Sequence, residues 1–284
     1  MAATIEAVSG FAHLTDLPCL RLVYGQATAV ISLYGAHVLS YQPDGNTEVL
    51  YLSPQARWKD NTPIRGGVPV CWPWFGPAAA EFQQPGITRP SHGLVRNQLW
   101  QLKGQLTDHS NTQVRLGIDL PAPAGFPSPL NAELELTLSA DGLQIALFAP
   151  ASLQQAALHS YFCVQQLEQV EVSPLAGVYR DKVKNENARQ QQSSLTFTEE
   201  IDRVYVETAE QLSVSTGQHQ LTITQQGHDA SVLWNPWQDK AAKLTDLPDQ
   251  GYLDFVCVET ARLSLNNQNP LHLVQHIRYL GQLV

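Results

Sequence analysis

The sequence predicts an all-β protein, mostly antiparallel, folded as a sandwich. Three observations carry that prediction. Apolar and polar residues alternate in short runs through most of the 284 residues. Turn residues punctuate those runs at spacings of roughly 8–12 residues, the rhythm of sandwich proteins. No run shows the apolar spacing of an amphipathic helix three turns long. The 18 Gly and 18 Pro are spread evenly, with no linker, repeat or charge block, so residues 1–284 read as a single domain.

The elements follow in chain order. Leu20 to Tyr24 alternates, Gly25-Gln26 turns, and Ala27 to Leu33 alternates again, which reads as a hairpin. Leu134 to Leu138 and Leu143 to Phe148 flank Ala140-Asp141-Gly142, and Asp-Gly suits a tight hairpin turn. Ala157 to Val164 is apolar enough to be a strand buried on both faces. Gln190 to Ser194 is a Gln/Ser patch that reads as a surface loop. Gln220 to Thr224 and Ser231 to Trp234 read as partner strands around the turn Gly227-His228-Asp229. Leu253 to Ala261 closes the series, with Glu259 on the same side as Leu253, Phe255, Cys257 and Ala261.

Composition excludes several classes of function. Charged residues are 15% of the chain, against about 25% in a typical soluble domain. Gln, with 28 residues, fills much of the gap, so the surface is polar but weakly charged. The net charge of −9 argues against nucleic-acid binding, which needs a basic footprint. No run of 18 apolar residues is present, so no membrane span is expected. The segment Met1 to Gly10 has an acid and no basic residue, unlike a signal peptide. Cys19, Cys71, Cys163 and Cys257 are 52, 92 and 94 residues apart, which fits neither a zinc site nor a small disulfide framework. Free thiols in the cytoplasm, no metal and no cofactor are the expectations. With no association motif, a monomer is expected.

Four constellations could carry chemistry. Between residues 57 and 96 stand Arg57, Lys59, Arg65, Arg89 and Arg96 against only Asp60 and Glu81, a surplus of three positive charges in an acidic chain. The rigid arginine fork suits phosphate or carboxylate, so this segment implies a small anionic ligand; scattered surface arginines would give the same count. Gly66 and Gly67 allow a close backbone approach to a ligand, and Trp72, Trp74 and Phe75 offer flat faces to a sugar, or pack beneath a loop. His159 lies inside an apolar run, where burial tunes a proton donor or acceptor or simply makes a core histidine. Glu259 lies on an apolar strand face, where desolvation raises a carboxyl toward neutral pH, unless a salt bridge or strand-end water satisfies it. Asp202-Arg203 reads as a surface ion pair or a turn.

Six segments in this order resemble the aldose 1-epimerase (mutarotase) superfamily, in particular its hexose-6-phosphate branch. They are RGGVPVCWPWFG from Arg65, SHGLVRNQLW from Ser91, LHSYF from Leu158, IDRVY from Ile201, LWNPW from Leu233 and FVCVETA from Phe255. The resemblance spans about 200 residues and implies a galactose-mutarotase-like β-supersandwich. It implies His159 as general acid, Glu259 as general base, and Asp202 as a holder of sugar hydroxyls. It implies Arg65 and Arg96 as 6-phosphate ligands and His92 as a second site histidine. Ser91 stands where the family often carries Gln, and its shorter hydroxyl reaches less far. No family motif assigns Arg89 a role.

The implied reaction interconverts the α and β anomers of a hexose 6-phosphate by opening and closing the ring. On this reading His159 and Glu259 face one pocket about a sugar ring apart, with Arg65 and Arg96 at its far end. A mutarotase for a sulfonated or uncharged sugar, or a non-catalytic sugar-binding protein on the same sandwich, would share much of this pattern.

Overall fold

A computed structural model of the chain describes residues 3–175, 177–206 and 208–282. Its strands form three sheets. Every pairing between named strands is antiparallel. Ala3–Phe11, Leu14–Tyr24, Ala27–Ser32 and His37–Gln42 make a four-stranded meander in sequence order. A nine-stranded sheet runs Leu195–Thr196, Glu171–Ser173, Gln211–Ser215, His219–Gln226, Leu271–Gln282, Gly142–Ala149, Leu130–Ser139, Asn111–Leu120 and Gln101–Thr107. An eight-stranded sheet runs Glu186–Gln190, Gly177–Asp181, Ile201–Tyr205, Ala230–Asn235, Phe255–Arg262, Ala156–Leu158 and Val70–Cys71, with Tyr161–Cys163 also paired to Phe255–Arg262.

The two large sheets share one core. Leu158, Phe162, Leu233, Val256 and Val258 from the eight-stranded sheet cluster with Leu134, Ile145, Leu147, Ile223 and Leu273 from the nine-stranded sheet. Each such fully buried aliphatic side chain contributes about 1.5–3 kcal/mol. The opposite face of the eight-stranded sheet is also covered, by smaller clusters around Tyr161, Phe255 and Cys257 and around Cys71, Ala157 and Val232. That face carries the site described below.

The first two hairpins are present, with Tyr24 opposite Ala27 and Ser139 opposite Gly142. The third pairing differs from expectation. Gln220–Thr224 lies in His219–Gln226 of the nine-stranded sheet, while Ser231–Trp234 lies in Ala230–Asn235 of the eight-stranded sheet. Alternation marks each as a strand but does not name its partner. The turn at Gly227-His228-Asp229 carries the chain across the sandwich, where the Asp229 carboxylate accepts from the Leu263 and Ser264 amides at 2.6 and 3.0 Å. The run from Ala157 to Val164 is likewise two strands. The ladder breaks at His159-Ser160, where the His159 amide donates to the Pro69 carbonyl at 3.0 Å.

Gly66 and Gly67 do not leave room for a ligand. Both have positive φ, and a Cβ would sit 2.4 Å from the Tyr51 oxygen at Gly66 and 2.2 Å from the Val38 oxygen at Gly67. The space they make is filled by the chain's own backbone. Among the described residues, no helix is long and apolar enough to cross a membrane.

Candidate active site

Strand register places the acid and base candidates together. Leu158 pairs with Thr260 and Tyr161 with Cys257, so the same antiparallel register sets His159 opposite Glu259. Directly opposed residues have Cβ atoms about 4.5–5.5 Å apart. The side chains meet, with His159 Nε2 and Glu259 Oε1 at 3.3 Å. A sugar-ring separation was expected, and the cross-strand pairing is why it does not hold. Glu259 is 1% exposed and His159 8% exposed.

Burial governs the charge of the pair. It holds the Glu259 carboxyl well above the usual carboxylate range, opposed by the Lys182 charge. It holds the His159 imidazole well below 6.5, helped by His92 and then the arginines. Both groups are therefore pressed toward their neutral forms, and the pair favours holding one proton. Glu259 Oε2 is buried with no hydrogen-bond partner among the described residues, and Glu259 lies behind His159 rather than among the residues that line the cavity described below.

Aromatic rings fix the imidazole. Tyr161 stacks on His159 with centroids 5.0 Å apart and planes at 14°, and Trp234 meets it edge-on at 6.1 Å. Phe75 lies 6.4 Å from His159 and 5.0 Å from His92. Phe75 is thus the aromatic of its segment that reaches the site. Trp72 and Trp74 are 1% and 0% exposed, and their indole N–H groups donate to Gln154 Oε1 and the Pro90 carbonyl.

His92 sits at positive φ, 64°, just before Gly93. Its Nδ1 accepts from the Gly76 amide at 3.3 Å and has the Cys71 sulfur 3.3 Å away. Burial, then the Arg96 charge, pushes its pKa down to about 3, so the ring is neutral at physiological pH. With Nδ1 accepting, the proton belongs on Nε2, assigned from the hydrogen-bond pattern. His92 is a donor whose ring meets that of His159 edge-on at 5.4 Å.

A cavity of about 350 Å³ gathers His159, His92, Arg65, Ser91 and Arg96. Tyr161 and Asp246 line it too. The two arginines differ. Arg65 Nη1 donates to the Tyr161 hydroxyl at 2.9 Å, and its Nη2 pairs with Asp246 Oδ2 at 3.1 Å. Burial alone would lower its pKa, but Tyr161 and Asp246 outweigh burial and raise it. Arg96 Nη2 donates to the Ser91 backbone carbonyl at 2.8 Å. Ser91 therefore acts on the cavity through its main chain, and its side chain is exposed.

The rest of the basic segment disperses. Arg89 donates to the Phe82 and Ala124 carbonyls and lies over Trp74 and Phe126. Lys59 pairs with Asp16 at the surface. Arg57 and Lys59 line a different groove. Of the five cations, only Arg65 and Arg96 share the cavity with His159.

Asp202 is on the site's face of the sheet, beyond Trp234, with which it is paired. It does not pair with Arg203, which meets Asp181 and Glu199 instead, and it is not a turn residue. It lies in Ile201–Tyr205, and its Oδ1 is 3.6 Å from Lys182 Nζ. Burial raises its pKa, opposed by Lys182. Lys182 also sits 4.6 Å from the Phe75 ring centre. Lys182 and Asp246 are the charged groups that sequence reasoning missed. Both lie in short polar stretches, Asp181 to Lys184 and Thr245 to Asp249, of the kind that usually mark surface turns. Among the described residues, no three His, Cys, Asp or Glu side chains are grouped to hold a metal ion.

Comparison with known proteins agrees with this architecture. Residues 18–270 match the aldose 1-epimerase family. A relative from Escherichia coli K12, described as a "Putative glucose-6-phosphate 1-epimerase", is 35% identical over 294 aligned positions, covering 96% of this chain and 94% of its own. A Salmonella typhimurium protein solved as a "putative mutarotase" superposes with a TM-score of 0.82 at 30% identity, covering 97% of each chain. Galactose 1-epimerase from Lactobacillus acidophilus shares the fold, with a TM-score of 0.74 at 14% identity over 98% of this chain and 99% of its own. The fold is thus the galactose-mutarotase type, and the family's activity is that of an isomerase. The chain belongs to the aldose 1-epimerase family.

Proposed function

We propose that the protein interconverts the α and β anomers of hexose 6-phosphates. The observation that carries this reading is the single cavity in which His159 lies with Arg65 and Arg96. An uncharged sugar needs no such pair of guanidinium groups, whereas a phosphate is well matched by them. The description of the Escherichia coli relative names the same substrate.

The chemistry follows from the pair. Glu259 as carboxylate takes the proton of the anomeric hydroxyl at C1. His159 as imidazolium gives a proton to the ring oxygen. The bond between C1 and the ring oxygen breaks and the open aldehyde forms. The C1–C2 bond then rotates and the ring closes on the other face with the roles reversed. The reactive form, carboxylate with imidazolium, carries the same single proton as the neutral pair. A 3.3 Å contact lets that proton move between the partners without solvent. Each assisted transfer is worth about 10²–10⁴-fold. The phosphate on Arg96 and Arg65 anchors the end of the sugar that does not react and so orients the ring. His92 donates to the sugar from Nε2, and Asp202 accepts from its hydroxyls.

Arg96→Ala separates phosphosugar from free sugar. It should lower kcat/KM for glucose 6-phosphate at least tenfold more than for glucose, measured by NMR exchange between anomers. Equal losses on the two substrates would leave the phosphate assignment without support.

A further inference from the structure

We propose that Asp246 sets the charge selectivity of this cavity: with Tyr161, its carboxylate engages the terminal nitrogens of Arg65, so that Arg96 is the principal docking group for an anionic sugar substituent. The proposal rests on the phosphosugar reading and adds a specificity residue to it. Both terminal nitrogens of Arg65 already have oxygen partners, Nη1 on the Tyr161 hydroxyl at 2.9 Å and Nη2 on Asp246 at 3.1 Å. The Arg65 and Asp246 side chains are each 22% exposed, so their charges are only partly screened. The Asp246 main chain is tied in place by the Ser53 hydroxyl, which donates to its backbone carbonyl at 2.7 Å, and its carboxylate is held by Arg65.

The consequence is a cavity with two cations and one fixed anion on its wall. A phosphate monoester carries nearly two negative charges at neutral pH. Beside Asp246 it meets a like charge and an Arg65 whose two terminal nitrogens each already hold an oxygen partner. A hydroxyl or a singly charged group meets less repulsion and gains a carboxylate acceptor. Asp246 therefore tempers the preference for dianions that Arg65 and Arg96 would otherwise impose.

The test is Asp246→Asn, which keeps shape and removes charge. Inorganic phosphate binding, titrated calorimetrically, should tighten about tenfold at pH 7.5. The ratio of kcat/KM for glucose 6-phosphate to that for glucose should rise by a similar factor. Asp246→Glu, which keeps the charge, should stay within about twofold of the parent on both readouts. Arg65→Met combined with Asp246→Asn should lose the gain. Phosphate affinity that is unchanged, weaker or undetectable in both Asp246→Asn and the parent overturns the proposal; a weaker value would mean that Asp246 preorganises Arg65 for the anion. The phosphosugar reading fails separately, if Arg96→Ala affects glucose and glucose 6-phosphate equally while the Asp246→Asn titration still shows its gain.

Discussion

At the scale of single residues, His159 and Glu259 show how burial and register bring an imidazole and a carboxyl together and press both toward neutrality. Each is pushed toward its neutral form because the sheet removes it from water. The signs of these shifts set the pH profile. His159 takes up a second proton only well below 6.5, so the acid limb lies below the usual imidazole range. Glu259 gives up the last proton only well above 4.5, so the alkaline limb lies above the usual carboxylate range. Between the limbs the pair holds one proton, and on the proposed mechanism turnover should be maximal there, as a pH series of anomer exchange would read. On the proposed mechanism Glu259→Gln should reduce kcat about 10²–10⁴-fold while phosphate still binds; polarimetry and a phosphate titration check the two halves. Both residues stood out in the sequence as ionisable groups on apolar strands, although a core histidine and a salt-bridged or strand-end glutamate would have given the same local pattern. Asp246 and Lys182 did not, because an acid or a lysine in a short polar stretch looks the same whether it faces solvent or a cavity.

At the scale of elements, the site depends on strands that are interrupted. The break at His159-Ser160 lets His159 leave the ladder while Ser160 turns to the core side. There the Ser160 hydroxyl donates to Gln275 Oε1, and Gln275 Nε2 donates to the Thr260 hydroxyl at 2.9 Å. These groups are 0% exposed, so the network satisfies polar atoms that would otherwise be costly inside the sandwich. A second device holds His92. Gly93 has φ 83°, and a Cβ there would sit 2.0 Å from the Trp72 carbonyl oxygen. Gly93→Ala should therefore destabilise the fold by about 2 kcal/mol or more and displace His92; urea denaturation reads the first effect and kcat the second. Strand existence was readable from alternation. Strand partnership was not, as the crossing at Gly227 to Asp229 shows, because the period of two is the same in every sheet.

At the scale of the whole molecule, buried histidines link folding to pH. His37 is 1% exposed and donates from Nε2 to the Gly66 carbonyl at 2.7 Å. Burial, only partly offset by that bond, pushes its pKa down to about 4 from 6.5. A folded pKa below the unfolded one means that the unfolded chain binds the proton first. Stability is therefore full above about 6.5 and lost as pH falls toward about 4, by about 3 kcal/mol for this one residue. His37→Gln should abolish that share. The stability gap between the parent and this variant should narrow by about that amount between pH 7 and pH 4, followed by denaturant unfolding at each pH. A gap that does not change with pH would show that His37 is not the group responsible.

Local alternation, turn residues and scarce charges were enough to read an all-β sandwich and to single out His159 and Glu259, because these signals act over a few residues of chain. The six ordered segments extended that reading to a family. Long-range packing settled the remainder. Which strands share a sheet, which two of the clustered cations line one cavity, and that Asp246 reaches across to Arg65 all depend on contacts between residues tens to hundreds of positions apart. Such contacts are chosen by the burial of whole faces and the register between strands, and a linear pattern carries neither.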